Sequence, residues 1–462
     1  MPNKDYFLNV TPQLGISANC FYIQLGKKGF VFDAGMDPKA EGYDATPHLE
    51  WLDHRPLDAI FLSHAHHDHT GAIPLIQLRN PDAKVFMTAA TAQLAEPLLH
   101  NSVNVMKRNR LAHGIMDYPL YTHQDIDRVK ERWHGCGLQT PWSIEGFPIK
   151  EKDSVAVKFR MHHAGHILGS AAIEIEVDNQ TILYTGDFNC SDQTLLKKAS
   201  LPQKKIDILI IETTRGSHPT PEGFSRKQER RKFIEALNKT YDKGGSALIP
   251  IFAMGKTQET ISMLHLAQTR GELPTEPIYI GGLGRVFTSI YDNFAQDSPR
   301  YHPDLNLLQE IQPQVVNWKK LDDFKSKRGH LYLIPSGMMT PHTTSNRLAT
   351  YFLSREQNSI YFVGYTDPET PAGRLRATPS DQRITLNHDY GDQPILCNIE
   401  HFDFTSHANR EDILYYIRTV NPRKCFLVHG DLEATQWFQS KLVQSHPNMN
   451  IHVPEPGVEI SL

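Results

Sequence analysis

The chain has 462 residues, enough for roughly two or three domains, and 48 Lys and Arg against 52 Asp and Glu give a formal net charge of −4. That balance excludes a polycation that coats nucleic acid nonspecifically, although a local basic groove remains compatible with it. Apolar residues make up 39% of the chain, and no stretch reaches the ~18 continuous apolar residues of a membrane span. The start of the chain lacks the apolar run of a secretory signal. We therefore expect a cytoplasmic protein without membrane association.

Cysteine and histidine usage indicates a metal site made of imidazoles and carboxylates. The five cysteines are widely spaced and form no CxxC pair, which argues against a disulfide framework and against a thiolate zinc site. Histidine occurs 24 times, often beside Asp or Gly. Since neutral imidazole is a common metal ligand, histidines that converge with carboxylates would form such a site.

The first 215 residues show short apolar strands separated by turns and helices. Strand patterns cover 29–35, 57–63, 155–161, 171–177 and 181–187, with a hairpin turn predicted at 178–180 and helices near 88–99 and 123–133. Residues 206–212 form a nearly continuous apolar run, which predicts a strand buried on both faces.

After this strand, helix and strand patterns alternate, which predicts an α/β layer with parallel strands. From about Ile395 the earlier pattern returns. We interpret residues 1–215 and 395–462 as one domain, and 216–394 as a second domain inserted into it. The two ends of the outer domain are expected to fold back together.

The strongest local signal is the run His64-Ala-His66-His67-Asp68-His69, which follows a predicted strand. A loop can turn alternate side chains towards one point, whereas a helix would distribute them around its axis. Imidazole nitrogens and carboxylate oxygens bind Zn²⁺ at about 2.0–2.2 Å. The run therefore predicts a metal-binding loop, with His67 facing away from the metal.

Further ligands must come from other strand ends. His166, Asp187 and His429 each follow an apolar run and have glycine neighbours, which allow the backbone to approach a crowded site. Asp187 suits a bridging position, because its two oxygens can each bind one metal of a pair about 3.5–4 Å apart. Asp33 ends another strand, and we expect it to orient the metal loop through hydrogen bonds rather than bind metal.

In this order, the motifs HxHxDH (64–69), AGHILGS (164–170), TGD (185–187) and VHG (428–430) resemble those of the metallo-β-lactamase superfamily. The segments PIFAMGKTQE (250–259), GGLGR (281–285), PSGMM (335–339) and VGYTDPETPAGRL (363–375) resemble the insertion of the β-CASP nucleases, the group that contains RNase J and the pre-mRNA 3′-end cleavage endonuclease. The resemblance covers nearly the whole chain. It implies an α/β fold, an αββα sandwich with an inserted α/β domain.

The resemblance also implies two Zn²⁺ per chain. His64, His66, His166 and Asp187 would hold one ion, and Asp68, His69, Asp187 and His429 the other. A histidine at position 429 is typical of the RNA-processing members, whereas the DNA-repair branch usually has an apolar residue there.

Glu212 and His407 match the acidic and histidine motifs at the two ends of the β-CASP insertion. Because an unpaired buried glutamate would be costly, we expect the two side chains to be in contact. The resemblance implies that a metal-bound hydroxide attacks the phosphorus, with His407 as the general acid and Glu212 holding it. The predicted catalytic residues are thus Asp68, Asp187, Glu212 and His407.

Three positions in the insertion are predicted to contact substrate. Arg285 in GGLGR, and Ser336 with Gly337 in PSGMM, would face RNA phosphates. The alternative for GGLGR is a tight turn without a ligand.

We expect a zinc-dependent ribonuclease that binds RNA, as a single strand, in the cleft between its two domains. A DNA nuclease on the same scaffold and a non-catalytic RNA-binding subunit are the alternatives. The sequence leaves open endonuclease or exonuclease action, base preference and a homodimer.

Overall fold

The computed structural model describes residues 5–316, 328–380 and 382–462. The chain forms two compact units. The first comprises Met1–Asp192, Lys198–Thr220 and Ser406–Leu462, and the second Gln193–Lys197 and Pro221–Thr405. The domain limits at 215 and 394 stay a prediction. In the described ranges, each helix is too short or too polar to cross a lipid bilayer.

The strands are β1 (Tyr6–Asn9), β2 (Phe21–Leu25), β3 (Lys28–Phe32), β4 (Ala59–Phe61), β5 (Lys84–Thr88), β6 (Trp133–Cys136), β7 (Trp142–Ser143), β8 (Phe147–Pro148), β9 (Val157–His163), β10 (Ala171–Val177), β11 (Gln180–Tyr184), β12 (Ile208–Glu212), β13 (Ala247–Pro250), β14 (Ile278–Ile280), β15 (Gln314–Val315), β16 (Leu331–Ile334), β17 (Ser359–Phe362), β18 (Arg383–Ile384), β19 (Gln393–Pro394), β20 (Asn398–His401), β21 (Lys424–Val428), β22 (Asn450–His452) and β23 (Glu459–Ser461). The α-helices are His67–Thr70, Ile73–Arg79, Ala89–His113, His123–Lys130, Arg226–Asp242, Lys256–Thr269, Gly282–Asn293, Leu307–Ile311, Thr344–Leu353, Pro371–Ala377, Arg410–Val420 and Leu432–Ser445.

The first unit contains two stacked sheets. In the described residues, one sheet has seven strands in the order β23-β1-β2-β3-β4-β5-β6, and the other has eight in the order β22-β21-β12-β11-β10-β9-β7-β8. Apolar side chains from both sheets, such as Phe7, Phe61, Phe159 and Ile173, form one core between them. Helices pack on the two outer faces through separate cores. This arrangement confirms the predicted αββα sandwich.

Strand β12 shows why its sequence is continuously apolar. Ile208 and Ile210 point into the core between the sheets, and Leu209 and Ile211 into the core beneath the outer helices. Successive side chains of a strand face opposite sides, so a strand covered on both sides needs apolar residues at every position. The prediction for residues 206–212 is confirmed.

The ends of the chain meet in the first sheet, as expected. Strand β23 pairs antiparallel with β1, with Tyr6 opposite Ser461. The hairpin between β10 and β11 turns at Asp178 and Asn179, both with positive φ (48° and 61°), a conformation that Asp and Asn tolerate. The predicted turn extended one residue too far, because Gln180 already pairs with Val177.

The second unit contains a parallel sheet in the order β15-β14-β16-β13-β17-β20. The alternating helices and strands of its sequence predicted this layer. The segment GGLGR forms the start of helix Gly282–Asn293, so the tight-turn alternative was wrong. Buried Glu259 accepts backbone hydrogen bonds from Thr194 (2.6 Å) and Leu195 (2.9 Å), which anchors the segment Gln193–Lys197 in this unit.

Candidate metal centre

The site of the first unit lies at the carboxyl ends of several strands. Strands β11, β12 and β21 are parallel neighbours, so the residues that follow them, including Asp187 and His429, meet at one edge. Strand β9 runs in the same direction, because it pairs antiparallel with β10, which pairs antiparallel with β11. His166 therefore reaches the same edge.

The histidine run leaves β4 as a loop and then forms one helical turn, His67–Thr70. The expectation of a loop holds for His64 and His66, but Asp68 and His69 lie on that turn. His67 faces away from the other histidines, as predicted, and its Nε2 lies 3.3 Å from Oγ of Ser102.

Four of the predicted ligands form one group, in which one donor atom from each of His64, His66, His166 and Asp187 lies within 4.8 Å of the others. Nδ1 of His66 lies 3.1 Å from Nε2 of His64 and 3.0 Å from Nε2 of His166. Oδ2 of Asp187 lies 3.6 Å from each of those two Nε2 atoms. Three imidazole nitrogens and one carboxylate oxygen thus converge on one point.

Asp68, His69 and His429 form a second group. Nε2 of His429 lies 3.3 Å from Oδ2 of Asp68. Asp187 reaches this group too, because its Oδ2 lies 3.5 Å from Nε2 of His69 and its Oδ1 lies 2.8 Å from Nδ1 of His429. The carboxylate of Asp187 therefore lies between the two groups.

These residues fit a pair of zinc ions by their donor chemistry. The carboxylate of Asp187 is only 3% exposed and lies within 3.6 Å of imidazole nitrogens of both groups, so it is a buried negative charge that a cation would compensate. Nδ1 of His166 lies 2.8 Å from the carbonyl oxygen of Ser406, which leaves its Nε2 directed into the group. Imidazole nitrogen and carboxylate oxygen are the donors that zinc accepts in catalytic sites.

Asp33, at φ 59° and fully buried, accepts four hydrogen bonds at the end of β3. The backbone and hydroxyl of Ser63 donate to it at 2.7 Å, and Tyr184 donates at 2.6 Å. Nδ1 of His69 lies 2.7 Å from Oδ2, and the Ser63 hydroxyl lies 3.0 Å from Nδ1 of His64. Asp33 thus sets the proton position on His69 directly and on His64 through Ser63.

The predicted contact between Glu212 and His407 is present. Nδ1 of His407 lies 2.9 Å from Oε2 of Glu212, and the backbone N–H of Phe188 donates to Oε1 at 2.7 Å. Nδ1 of His407 is also 3.9 Å from Oδ2 of Asp187. The pair therefore adjoins the ligand groups.

The sequence reasoning missed Thr214. Its Oγ1 lies 2.5 Å from Oε2 of Glu212 and 3.2 Å from Nδ1 of His429. It also missed Asn19, whose amide donates to the carbonyl of Asp68 at 3.1 Å. Only the position of Thr214, two residues after Glu212, could have indicated its role.

The pKa values of several histidines in the site differ strongly from their ordinary values. Burial opposes the charged forms, but the carboxylates of Asp187 and Asp68 raise the pKa of His69 well above its ordinary value. Against the same burial, Asp187 raises the pKa of His429 to about 10. Burial lowers the pKa of His66 to about 4. The carboxylates thus make this buried region attract positive charge, which either protons on the imidazoles or bound cations can supply.

The substrate positions predicted in the insertion lie in the second unit, at the carboxyl edge of its sheet. Their loops touch: a Cβ on Gly337 would lie 3.3 Å from the carbonyl carbon of Ile251, and one on Gly281 would lie 2.6 Å from Cδ of Pro335. Arg285 is exposed and Ser336 is half-buried.

Two exposed aromatic residues, which the sequence reasoning missed, lie on loops at the same edge. Phe252 is 43% exposed and Tyr365 is 55% exposed. A Cβ on Gly364 would lie 3.6 Å from Cε of Lys256, which begins the helix that follows the loop of Phe252. Large exposed rings are suited to contact with nucleic-acid bases.

Two helix-covered sheets, with imidazoles and carboxylates at their strand ends, define a metallo-β-lactamase-type fold. Three family models match the chain: the metallo-beta-lactamase superfamily over residues 15–243, the Beta-Casp domain over 257–375, and the "Zn-dependent metallo-hydrolase RNA specificity domain" over 392–454. The chain belongs to the β-CASP family of the metallo-β-lactamase superfamily.

Several curated proteins are similar over most of this chain. Endoribonuclease YSH1 of Candida glabrata is 27% identical over 469 residues, which cover 98% of this chain and 59% of that protein. Cleavage and polyadenylation specificity factor 73 of Drosophila melanogaster is 26% identical over 441 residues, which cover 93% and 61%. The chain thus spans about three-fifths of the length of these relatives.

A crystal structure of an Enterococcus faecalis protein of unknown function is similar in fold. Its TM-score is 0.54 at 15% identity, with coverage of 99% of this chain and 100% of that one.

Proposed function

We propose that this protein is a zinc-dependent endoribonuclease that hydrolyses RNA phosphodiester bonds. The observation that carries the proposal is the position of Asp187 between two ligand groups, next to the Glu212–His407 pair. Membership of the β-CASP family and the name of the Candida glabrata relative, Endoribonuclease YSH1, support RNA rather than another phosphodiester as the substrate.

Two Zn²⁺ per chain would be held by the predicted ligands. One set is His64, His66, His166 and Asp187, and the other is Asp68, His69, His429 and again Asp187. When bound, zinc supplies a Lewis acid that lowers the pKa of water and neutralises charge on phosphate oxygens. Asp33 would hold His69 and His64 with their Nε2 lone pairs towards the ions.

His407 would donate a proton to the leaving sugar oxygen. Glu212 accepts the Nδ1 proton of His407, which fixes the ring and leaves Nε2 as the atom that exchanges a proton with substrate. Asp68 and Asp187 would contribute to catalysis by holding the metals, and Thr214 by positioning Glu212.

The RNA strand would also contact the second unit. Arg285 supplies a charge for a phosphate, and the loop of Ser336 and Gly337 supplies a hydroxyl and backbone groups. Phe252 and Tyr365 would stack on unpaired bases, a contact worth about 1–3 kcal/mol per base. Such stacking needs single-stranded substrate.

The proposal is tested with RNA labelled at either the 5′ or the 3′ end, incubated with the full chain with and without a chelator. We expect internal fragments from both labels, loss of cleavage with the chelator, and recovery when zinc is added. Matched DNA oligonucleotides run in parallel distinguish a DNA nuclease. Protein that contains zinc but leaves all substrates intact would contradict the proposal and favour a non-catalytic RNA-binding subunit.

A further inference from the structure

A second group of imidazoles and carboxylates lies in the first unit, on residues that the metal centre does not use. Glu96 and His100 are four residues apart on helix Ala89–His113. His123 and Asp127 are four residues apart on helix His123–Lys130. Because residues four apart share one face of a helix, each helix presents one imidazole and one carboxylate together.

The two pairs meet between the helices. The imidazole rings of His100 and His123 are stacked with centroids 5.1 Å apart, and their Nδ1 atoms lie 2.8 Å from each other. Nε2 of His100 lies 3.7 Å from Oδ1 of Asp127. Donor atoms of Glu96, His100 and Asp127 all lie within 4.8 Å of one another. When Nδ1 of His100 donates the one proton that these two atoms can share, Nε2 of His100 keeps a lone pair on the side of Asp127.

This location already attracts a cation. Nζ of Lys130 lies 2.6 Å from Oε1 of Glu96 and 2.9 Å from Oδ1 of Asp127. An ammonium group can only donate hydrogen bonds, so Lys130 neutralises the carboxylates without giving them a link to the imidazoles. A metal ion would bind both kinds of donor at once.

Access and protonation both favour a metal. The side chains of His100 and Asp127 are 27% and 56% exposed, so an ion can reach them from solvent. Burial, His100 and Lys107 lower the pKa of His123, which favours the neutral ring that can accept a hydrogen bond from Nδ1 of His100.

We propose that Glu96, His100 and Asp127 form an additional site for a divalent transition metal such as zinc, and that His123 orients the ring of His100 through its Nδ1. The metal would displace the ammonium of Lys130 and link helix Ala89–His113 to helix His123–Lys130. One imidazole nitrogen and two carboxylate oxygens are donors that zinc accepts, and water can complete the coordination. The proposal does not depend on ribonuclease activity, because none of the four residues belongs to the metal centre.

The test is a zinc titration of the full chain after dialysis has removed weakly bound metal, with zinc per chain measured by mass spectrometry. We expect the parent protein to take up one zinc more than His100→Ala, and His123→Ala to bind that zinc more weakly than the parent. Lys130→Gln should take up that zinc at a lower free concentration, because the competing ammonium is gone. His113→Ala, which removes an exposed histidine of the same helix that faces Glu41, should behave as the parent.

A second readout is the stabilisation of the folded protein by added zinc, measured as a change in Tm. Added zinc should raise the Tm of the parent and of His113→Ala more than that of His100→Ala, because an ion that binds the folded state stabilises it. Equal zinc uptake by the parent, His100→Ala and His123→Ala would overturn the proposed site. Unchanged or weaker uptake by Lys130→Gln would overturn the displacement of Lys130.

Discussion

Nδ1 of His407 lies 2.9 Å from Oε2 of Glu212, although the two residues are 195 positions apart in the chain. Glu212 ends β12, and His407 follows the return of the chain to the first unit. The contact therefore exists only after the segments on either side of the second unit have folded together. It places a histidine that a carboxylate orients beside Asp187.

Replacing His407 separates proton transfer from metal binding. We expect His407→Ala to lower kcat for RNA cleavage by about 10²–10⁴-fold, the usual contribution of a general acid, while the zinc content stays that of the parent. His446→Ala, at the end of helix Leu432–Ser445, is the control and should change neither quantity. Loss of zinc in His407→Ala would instead make this residue a metal ligand.

Replacing Asp187 should remove metal. Its carboxylate is within 3.6 Å of imidazole nitrogens in both ligand groups, so Asp187→Asn removes negative charge from both at once. Zinc per chain should fall, as measured by mass spectrometry of the purified protein. Asp178→Asn, in the exposed turn of the hairpin, is the matched control. Full zinc content in Asp187→Asn would show that this residue binds neither ion.

Asp33→Asn should weaken zinc binding without abolishing it. The amide keeps the shape of Asp33 but loses the charge that accepts from His69, Ser63 and Tyr184. Loss of a hydrogen-bond partner of a metal ligand typically costs about 10–100-fold in metal affinity. Competition with a chromophoric zinc chelator measures the change, and an unaltered affinity would contradict the orienting role.

Replacing Thr214 tests whether its hydroxyl positions Glu212. Thr214→Val keeps the volume but removes the hydroxyl near Glu212 and His429, and we expect kcat to fall roughly tenfold, equivalent to ~1.4 kcal/mol, with KM unchanged. Thr214→Ser retains the hydroxyl and should restore kcat. If serine and valine behave alike, the hydroxyl has no part in holding Glu212.

The acid stability of the first unit should depend on Glu174. Although burial opposes it, hydrogen bonds from His162 and Lys204 lower the pKa of Glu174 to about 2. A lowered folded-state pKa stabilises the protein above the unfolded-state pKa of about 4.3, and this stabilisation is lost as the pH falls towards the folded value. Chemical unfolding of metal-free protein measures the free energy of unfolding at pH values between these two pKa values. As the pH falls, this free energy should decline less for Glu174→Gln than for the parent. Equal declines in the free energy of unfolding would show that Glu174 does not determine the acid stability.

The sequence by itself determined most of the strands that lead to the site and the chain positions of the proposed ligands, and the resemblance of its motifs implied the fold, whereas strands β1, β2 and β5 were not predicted. The apolar run 206–212 indicates a strand buried on both faces, because every side chain of such a strand contacts apolar neighbours. The run from His64 to His69 needs no distant residue to be recognised, since its donors are adjacent in the chain.

Only the tertiary structure decided which atoms meet. The position of Asp187 between two groups, the contact of Thr214 with both Glu212 and His429, and the facing of His100 and His123 all join residues on different elements. Periodicity encodes which side of an element is buried, but distances between elements follow from how sheets and helices pack. GGLGR illustrates the same limit: its glycines are compatible with a turn, and the packing of the second unit makes them the start of a helix.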